Sequence, residues 1–301
     1  MMKMRSILLT AAAFFVLGAG SHAALRVTAL HPVLGDLTRQ VGGDAVIVTD
    51  LMKPGTDPHD FAPTPSDLSA IAKSKVILAM GKGLEPYLPK LRASLTKDQR
   101  LVEVGRPIPS IKIAKGSELF VCCPTHSEGA IDPHWWTSVA NMSRAARGVA
   151  KALGEGDPPN ASTYKARAKA YDKRLDALRK WIKEQVAAIP RRDRILATSH
   201  LAFGYFCKEF GFRTIGVQGL TTEQEASVKH IAEAIATLKK EKVKAVFPER
   251  TANPKVLRRM AKEAGVKIGG ELDPAFTGGG DRGTYESITR RNVRTIVEAL
   301  K

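Results

Sequence analysis

The 301-residue chain has few cysteines, few aromatic residues and only one long apolar run, and each shortage excludes a class of protein. Its three cysteines, Cys122, Cys123 and Cys207, form at most one internal disulfide, so a disulfide-stapled fold is excluded, and whether Cys122 or Cys123 pairs with Cys207 is left open. A groove that stacks nucleic-acid bases needs aromatic residues interleaved with basic ones. Here aromatic residues make up only 6% of the chain, and they are not interleaved with the basic residues. Beyond the N-terminus, no segment approaches the roughly 20 apolar residues that a membrane-spanning helix needs.

Acidic residues are also scarce, with 30 Asp and Glu against 47 Lys and Arg, and the formal net charge is +17. In a cytosolic protein, this balance would favour nucleic acid or an acidic membrane face as the partner. The basic residues are dispersed along the chain, so we interpret them as solvated faces. No nucleic-acid partner is predicted.

The one long apolar run lies at the N-terminus and has the features of a secretory signal. Lys3 and Arg5 form a basic start, 7–20 form an apolar core, and 21–23 (SHA) form a small-x-small cleavage site. Residues 1–24 are therefore predicted to be a signal peptide, and the mature protein is predicted to be soluble in the periplasm. No cysteine stands at the predicted cleavage point, so we predict no lipid anchor.

The rest of the chain alternates between β-like and helical segments, once in each half. The β-like runs are 25–30, 45–51, 75–80 and 101–104 in the first half, and 194–199, 212–217, 243–248 and 266–272 in the second. Strands that alternate with helices are typical of parallel sheets covered by helices. We therefore predict an α/β fold of two lobes with mainly parallel sheets.

The longest periodic segment lies between the two halves. From Tyr164 onward, apolar residues recur every three or four positions, until Pro190 ends the pattern. A helix of about 30 residues is about 45 Å long, which is enough to run along both lobes. The predicted organisation is an N-terminal lobe over 25–155, a rigid linking helix over 156–190 and a C-terminal lobe over 191–301.

The tripeptide Asp-Pro-His occurs twice, in turns that follow predicted strands. His59 follows the second β-like run, His134 follows the fourth, and His200 comes directly after the fifth. Ligands bind beyond the carboxyl ends of parallel strands, so these side chains are expected at one site. Asp273 follows the last β-like run, and three imidazoles with one carboxylate suit a tetrahedral cation such as Zn²⁺. We predict a metal site in the cleft between the lobes, with two ligands from each lobe.

Other polar residues near the predicted strand ends are alternatives for the site. Glu271 and Glu249 also follow strands and compete with Asp273 as the acidic ligand. For Glu249 we favour a role in orienting a histidine or in pairing with an arginine. We interpret His31 as a hydrogen-bonded turn residue and His230 as a solvated helix residue.

The protonation state of the site is predicted from the expected position of His200. Ser199 and His200 are expected to begin a helix that Gly211 ends, and the positive end of that helix would keep the His200 ring neutral. Because imidazoles must be neutral to bind metal, affinity is expected to fall as the pH drops through about 6.5. The segment 122–126 (CCPTH) is a weaker candidate for an auxiliary soft-metal patch, and 278–280 (GGG) is interpreted as a flexible loop.

Five segments of the chain resemble solute-binding proteins that serve zinc and manganese ABC transporters. In chain order they are 54–67 (PGTDPHDFAPTPSD), 81–85 (GKGLE), 132–136 (DPHWW), 199–206 (SHLAFGYF) and 225–227 (EAS). The resemblance covers nearly the whole mature chain. It implies two α/β lobes joined by a rigid helix, with the metal held between them by His59, His134, His200 and Asp273. It also implies an inner-membrane ABC permease with its ATPase as the partner.

The third ligand position separates the metals within this family. Zinc-type members have histidine there and manganese-type members usually have glutamate, so His200 favours Zn²⁺ as the transported ion, with Mn²⁺ or Fe²⁺ as the alternative. The chain departs from the family in two places. The stretch before the second Asp-Pro-His is short and holds His126 in place of a long His- and Asp-rich loop, and Ala226 stands where the family commonly has proline. We predict a monomer that captures Zn²⁺ and delivers it to the permease.

The rival from a different class is a periplasmic zinc hydrolase, because three histidines and a carboxylate also occur in catalytic sites that keep a water ligand. The sequence contains no His-Glu-x-x-His or comparable acid–base motif, so we predict that the protein is not an enzyme. A metal chaperone or a surface adhesin would share the site and differ only in its partner.

Overall fold

The structure is a computed structural model that covers most of the predicted mature chain. It describes residues 23–53, 55–114, 119–120, 129–217, 219–220, 228–276 and 283–301. The apolar N-terminal run and the segments 122–126, 225–227 and 278–280, on which predictions were made above, lie outside the described residues. Within the described ranges, no helix combines the length and the apolar character that crossing a membrane would require.

Strands and helices alternate along the described part of the chain. In order they are β1 Leu25–Ala29, α1 Pro32–Gly42, β2 Val46–Asp50, α2 Pro65–Ala72, β3 Val76–Ala79, α3 Leu88–Ser94, β4 Arg100–Glu103, α4 Val139–Gly156, α5 Ala161–Ala187, β5 Ile195–Thr198, α6 Gly204–Phe210, β6 Arg213–Gly216, α7 Val228–Lys240, β7 Ala245–Phe247, α8 Lys255–Ala264, β8 Lys267–Ile268 and α9 Tyr285–Leu300. Each predicted β-like run overlaps one of these strands, and the predicted alternation is confirmed.

The strands form two parallel sheets with the same strand order. The first sheet has the order β2-β1-β3-β4 and the second has the order β6-β5-β7-β8. The inner strands β3, β5 and β7 are completely buried, because helices cover both faces of a parallel sheet. Strand order reverses between β1 and β3 and between β5 and β7. The crevice outside the carboxyl ends of such strands is where open α/β sheets bind ligands. The predicted fold class of two parallel α/β lobes is confirmed.

The loop that leads into α2 is anchored by a capping box. Thr64 Oγ1 accepts a hydrogen bond from the Asp67 N–H, the Asp67 carboxylate accepts one from the Thr64 N–H, and Pro65 occupies the first turn. Helix α8 ends in a different way, at Gly265, which adopts φ +69° in the left-handed region that glycine tolerates. The capping box fixes the C-terminal end of the loop that carries His59.

The long helix between the lobes is α5, which has 27 residues and a length of about 40 Å. Its buried side chains have the predicted periodicity: Tyr164, Ala168, Tyr171, Leu175, Leu178, Ile182 and Val186. They belong to one continuous hydrophobic cluster that contains side chains of both lobes. The helix packs on α1 and α4 of the first lobe and on α6 and α9 of the second. A helix buried in a shared core restrains movement of one lobe against the other.

A buried carboxylate adds a second connection between the lobes, which the sequence analysis did not predict. Glu209 of α6 accepts hydrogen bonds from Ser138 Oγ at 2.5 Å and from the Ala140 N–H at 3.2 Å, where α4 begins. It also pairs with Arg179 of α5 at 2.7 Å. Because the first N–H groups of a helix lack partners within the helix, Glu209 stabilises the start of α4 while joining it to α5 and α6.

Replacing this carboxylate is expected to destabilise the whole molecule. We predict that Glu209→Ala lowers the free energy of unfolding by about 2 kcal/mol, because buried donors of α4 lose their acceptor. Glu184→Ala, an exposed position on α5, is the control and should change stability by less than about 0.5 kcal/mol. Urea unfolding followed by circular dichroism measures both, and equal values for the two variants would contradict the prediction.

Candidate metal centre

Three histidines on separate loops converge between the lobes. His59 lies between β2 and α2, His134 lies in the long connection from β4 to α4, and His200 follows β5. One ring nitrogen from each histidine can be chosen so that the three atoms all lie within 4.8 Å of one another. His134 Nε2 is 3.0 Å from His59 Nε2 and 3.4 Å from His200 Nε2. Imidazole nitrogens that face a common point are the arrangement that binds a divalent transition metal.

The two copies of Asp-Pro-His form the same local turn. The Asp57 carboxylate accepts the His59 N–H at 2.9 Å, and the Asp132 carboxylate accepts the His134 N–H at 2.8 Å. An aspartate that accepts the N–H two residues later makes an Asx turn, and the intervening proline restrains φ. The tripeptide therefore fixes the backbone from which each histidine ring projects.

Carboxylates also orient two of the three rings. Asp132 Oδ1 lies 2.9 Å from His134 Nδ1, and Glu249 hydrogen-bonds to His200 Nδ1. Glu249 also accepts the His200 N–H at 3.3 Å. A proton held on Nδ1 by a carboxylate leaves the Nε2 lone pair available on the opposite side of the ring. In both rings, that nitrogen faces the centre of the cluster.

Burial and neighbouring charges separate the pKa values of the three rings. Burial, with the nearby His134 and His200 rings, lowers the pKa of His59 to about 2, and burial also lowers the pKa of His134 well below its ordinary value. Burial acts to lower the pKa of His200 too, but the charge and hydrogen bond of Glu249 outweigh it and raise that pKa above 6.5. At neutral pH, the His59 and His134 rings are therefore uncharged. Among the three rings, His200 is therefore the one at which a proton would compete with a metal ion.

The predicted reason for a neutral His200 is wrong. Helix α6 ends at Gly211 as expected, but it begins at Gly204 and not at Ser199. Between them, Thr198 Oγ1 and the Ala202 N–H both donate to the His200 carbonyl and hold the chain in a turn. The helix start is therefore displaced from the ring, and Glu249 sets its pKa instead.

Asp273 lies at the predicted edge of the second sheet but outside the converging group. Its carboxylate is 3.4 Å from Arg291 Nη2 and 3.8 Å from Arg250 Nε. Its backbone is held by Asn292, which accepts the Asp273 N–H and donates to the Asp273 carbonyl. In the part of the chain that the structure describes, the three histidines are the only group of three or more potential metal ligands that converge in this way, and Asp273 is not among them.

The two carboxylates that competed with Asp273 in the sequence analysis occupy different surroundings. Glu249 is buried and contacts His200, which is the contact that the sequence interpretation favoured. Glu271 lies 3.6 Å from Arg250, and 54% of its side chain is exposed. Its position therefore corresponds to the alternative of a simple ion pair.

The structure also places the two histidines that were set aside. His31 caps α1, because its Nδ1 accepts the Val33 N–H, which agrees with the predicted turn role. His230 was expected to be solvated, but only 5% of it is exposed, so that interpretation is wrong. His230, Ala234 and Leu238 are the buried residues of α7 and recur every four positions, a periodicity that was available in the sequence.

Trp136 is a residue of the site that was not predicted from the sequence. Its ring centroid lies 5.2 Å from that of His134 and 4.8 Å from that of His31. Its Nε1–H donates to the Pro274 carbonyl at 2.8 Å. Trp136 therefore packs against a candidate ligand in one lobe and hydrogen-bonds to the residue after Asp273 in the other. No local pattern marks such a long-range contact.

Comparison with known proteins finds relatives over nearly the whole chain. The manganese-binding lipoprotein MntA of Bacillus subtilis is 32% identical over 96% of this chain and 96% of its own length. The zinc-binding protein TroA of Treponema pallidum is 30% identical over 89% of this chain and 86% of its own. The solved structure of the periplasmic zinc-binding protein TroA superposes with a TM-score of 0.81 at 28% identity, covering 92% of this chain and 99% of that one.

These similarities define a substrate-binding protein of the metal ABC transporter class. The chain belongs to the family described as zinc-uptake complex component A, periplasmic, whose model matches residues 27–299. The family consists of transport proteins and not of enzymes, so the prediction of a non-enzyme is confirmed and the hydrolase alternative is excluded. The names of the relatives include manganese, zinc and, for YfeA of Yersinia pestis, iron.

The three rings are expected to titrate separately in the protein without metal. Because Glu249 raises the pKa of His200, this ring should become an imidazolium at a pH above 6.5, while His59 and His134 stay neutral into strongly acid solution. Nitrogen-15 NMR of the histidine side chains distinguishes the neutral ring from the imidazolium. Protonation of His134 at a higher pH than His200 would contradict the assignment.

Proposed function

We propose that the protein captures Zn²⁺ in the periplasm and delivers it to an inner-membrane ABC permease, with His59, His134 and His200 as nitrogen ligands. The convergence of the three Nε2 atoms carries this proposal. Imidazole suits Zn²⁺, whereas Mn²⁺ prefers carboxylate, carbonyl and water oxygens. The cluster of described residues supplies three imidazole nitrogens, and a ligand set in which nitrogen predominates favours zinc.

We propose Asp273 as the fourth ligand. Its support is the family resemblance, its place at the carboxyl edge of the second sheet, and the cavity beside the cluster. That cavity is lined by the three histidines and by Pro274 and Ala275, the two residues that follow Asp273. Ligation exchanges the contacts of this carboxylate with Arg250 and Arg291 for a bond to the ion. The side chain has to turn, while Asn292 keeps its backbone in place.

Manganese is the second candidate, because the relative MntA is named for manganese binding. Affinity measured in solution separates the two ions poorly, since most nitrogen and oxygen sites bind Zn²⁺ more tightly than Mn²⁺. Two measurements identify the transported ion. One is the metal bound to the protein when it is purified from its own compartment, and the other is the metal that a strain lacking the protein fails to accumulate. For a zinc transporter both are zinc, and growth under chelation is restored by added zinc but not by manganese.

Removing ligands is expected to abolish tight zinc binding. We predict one Zn²⁺ per protein in calorimetry, and a loss of affinity of about 100-fold or more for His59→Ala or His200→Ala, because each removes a nitrogen donor. His230→Gln, which alters a buried histidine outside the cluster, is the control and should bind within about twofold of the wild type. Stoichiometric zinc binding that survives His59→Ala combined with His200→Ala would overturn the site.

Zinc affinity is expected to depend on the proton at His200. Below the pKa of His200, each ion displaces one proton, so the apparent affinity should fall about tenfold per pH unit, and the fall should begin above pH 6.5 because that pKa is raised. His59 and His134, with lowered pKa values, add no loss until the solution is strongly acid. Competition with a chelator at several pH values measures the profile.

Glu249→Gln is the matched variant for this profile. It removes the charge that raises the pKa of His200, so the fall in affinity should move to lower pH. Loss of the orienting carboxylate should also weaken binding at alkaline pH by about 10- to 100-fold. Identical pH profiles for the variant and the wild type would exclude His200 as the group that the proton occupies.

A further inference from the structure

The helix that follows His200 touches the carboxylate that orients His134. A Cβ atom added to Gly204, the first residue of α6, would lie within 3.0 Å of Asp132 Oδ2, closer than real Cβ atoms come to such neighbours. Asp132 Oδ1 already accepts the His134 N–H and faces His134 Nδ1. Asp132 is completely buried, and its Oδ2 has no hydrogen-bond partner among the described residues. The backbone of α6 at Gly204 therefore packs directly against Oδ2 of Asp132.

Tyr205, the next residue of α6, holds Asp132 by its main chain. The Tyr205 hydroxyl donates to the Asp132 carbonyl at 3.1 Å and accepts the Ile111 N–H at 3.1 Å. Only 4% of Tyr205 is exposed. Two consecutive residues of the second lobe thus contact one aspartate of the first lobe, one at its carboxylate and the other at its carbonyl.

These contacts join the two halves of the candidate site through one short segment. The segment 200–205 carries His200 at its beginning and the contacts to Asp132 at its end. Asp132 in turn fixes the backbone and the ring of His134. Because the interior is closely packed, a displacement of this segment also moves the Asp132 carboxylate.

We propose that Gly204 and Tyr205 are positioning residues of the metal site, which hold Asp132 and through it the His134 ring. This inference rests on the proposed function, in which His134 is a ligand. A small displacement of the second lobe would then withdraw His200 and release the orientation of His134 together, so two ligands would weaken in one movement. That coupling gives a tightly packed binding protein a way to release its ion to a permease.

The first test adds a methyl group at the contact. Gly204→Ala is expected to lower zinc affinity by about tenfold or more, because the new Cβ displaces the Asp132 carboxylate that holds His134. Gly148→Ala in α4 is the matched control, since a Cβ there meets nothing within 4 Å. The control should bind zinc as the wild type does. Affinity is measured by chelator competition on protein first shown to be folded by its thermal transition.

A second variant keeps the test decisive if Gly204→Ala fails to fold. Tyr205→Phe removes one hydroxyl and keeps the ring, and it should weaken zinc binding about three- to tenfold. Tyr171→Phe is its control, because the buried Tyr171 hydroxyl has no hydrogen-bond partner among the described residues. The nitrogen-15 resonances of the His134 ring should shift in Tyr205→Phe, while those of His59 stay unchanged. Wild-type affinity and an unshifted His134 ring would overturn the inference.

A double variant separates positioning from a general loss of stability. With Asp132→Ala already present, Tyr205→Phe or Gly204→Ala should weaken binding much less than in the wild type, because the carboxylate through which both residues act on His134 is gone and their effects are then not additive. Fully additive losses would overturn the inference and leave the proposed function intact. Failure of the wild type to bind zinc would instead overturn the proposed function itself.

Discussion

The structure depends on holding three imidazole lone pairs at a single buried point. Nε2 atoms at 3.0 and 3.4 Å repel one another when each directs its lone pair at the others, as metal binding requires, and the rings repel more strongly when they are charged. Each ring must therefore be fixed by contacts outside the cluster. Asp132 and Glu249 fix two rings through Nδ1, and the turn at Asp57 fixes the loop of His59. The polar contacts around the site follow from this requirement, because a carboxylate on the far nitrogen of His134 and of His200 keeps the near lone pair directed inward.

The fold meets this requirement by supplying a rigid frame on both sides. Two sheets of the same strand order place their carboxyl edges toward each other, so loops from opposite lobes reach one point. The shared core along α5, the carboxylate of Glu209 and the start of α6 then prevent the lobes from separating freely. A site whose ligands are already in place loses little entropy when it captures an ion. In the proposed function, the same rigidity would confine ion release to small displacements, and the contact of α6 with Asp132 is where such a displacement would act on both lobes.

Much of this arrangement could be predicted from the sequence, because its determinants are local. Strand runs, the periodic face of α5 and the turn residues beside His59, His134 and His200 are all encoded within a few positions. The contacts that orient the rings could not be predicted, since Glu249 lies 49 residues from His200 and Gly204 reaches Asp132 from the other lobe. The start of α6 was misplaced for a different, local reason. Ser199 resembles a helix cap in sequence, but the turn that holds the His200 carbonyl delays the helix until Gly204.

Charge balance explains how such a site accepts a divalent cation without a large electrostatic cost. Within the cleft, Glu249 faces His200, whose raised pKa favours a bound proton, and Asp273 faces Arg250 and Arg291. If Asp273 is the fourth ligand, its carboxylate turns from the two arginines to the metal, so the arriving ion replaces positive charge that this carboxylate already faces. Below the pKa of His200, a proton also leaves that ring. The cation therefore enters a site whose carboxylates already balance positive charge. The electrostatic free energy of binding it is then less unfavourable than that of placing two positive charges in an apolar interior. Capture is then an exchange of cations, which makes it reversible by protons and by any partner that restores the contacts of Asp273 with the two arginines.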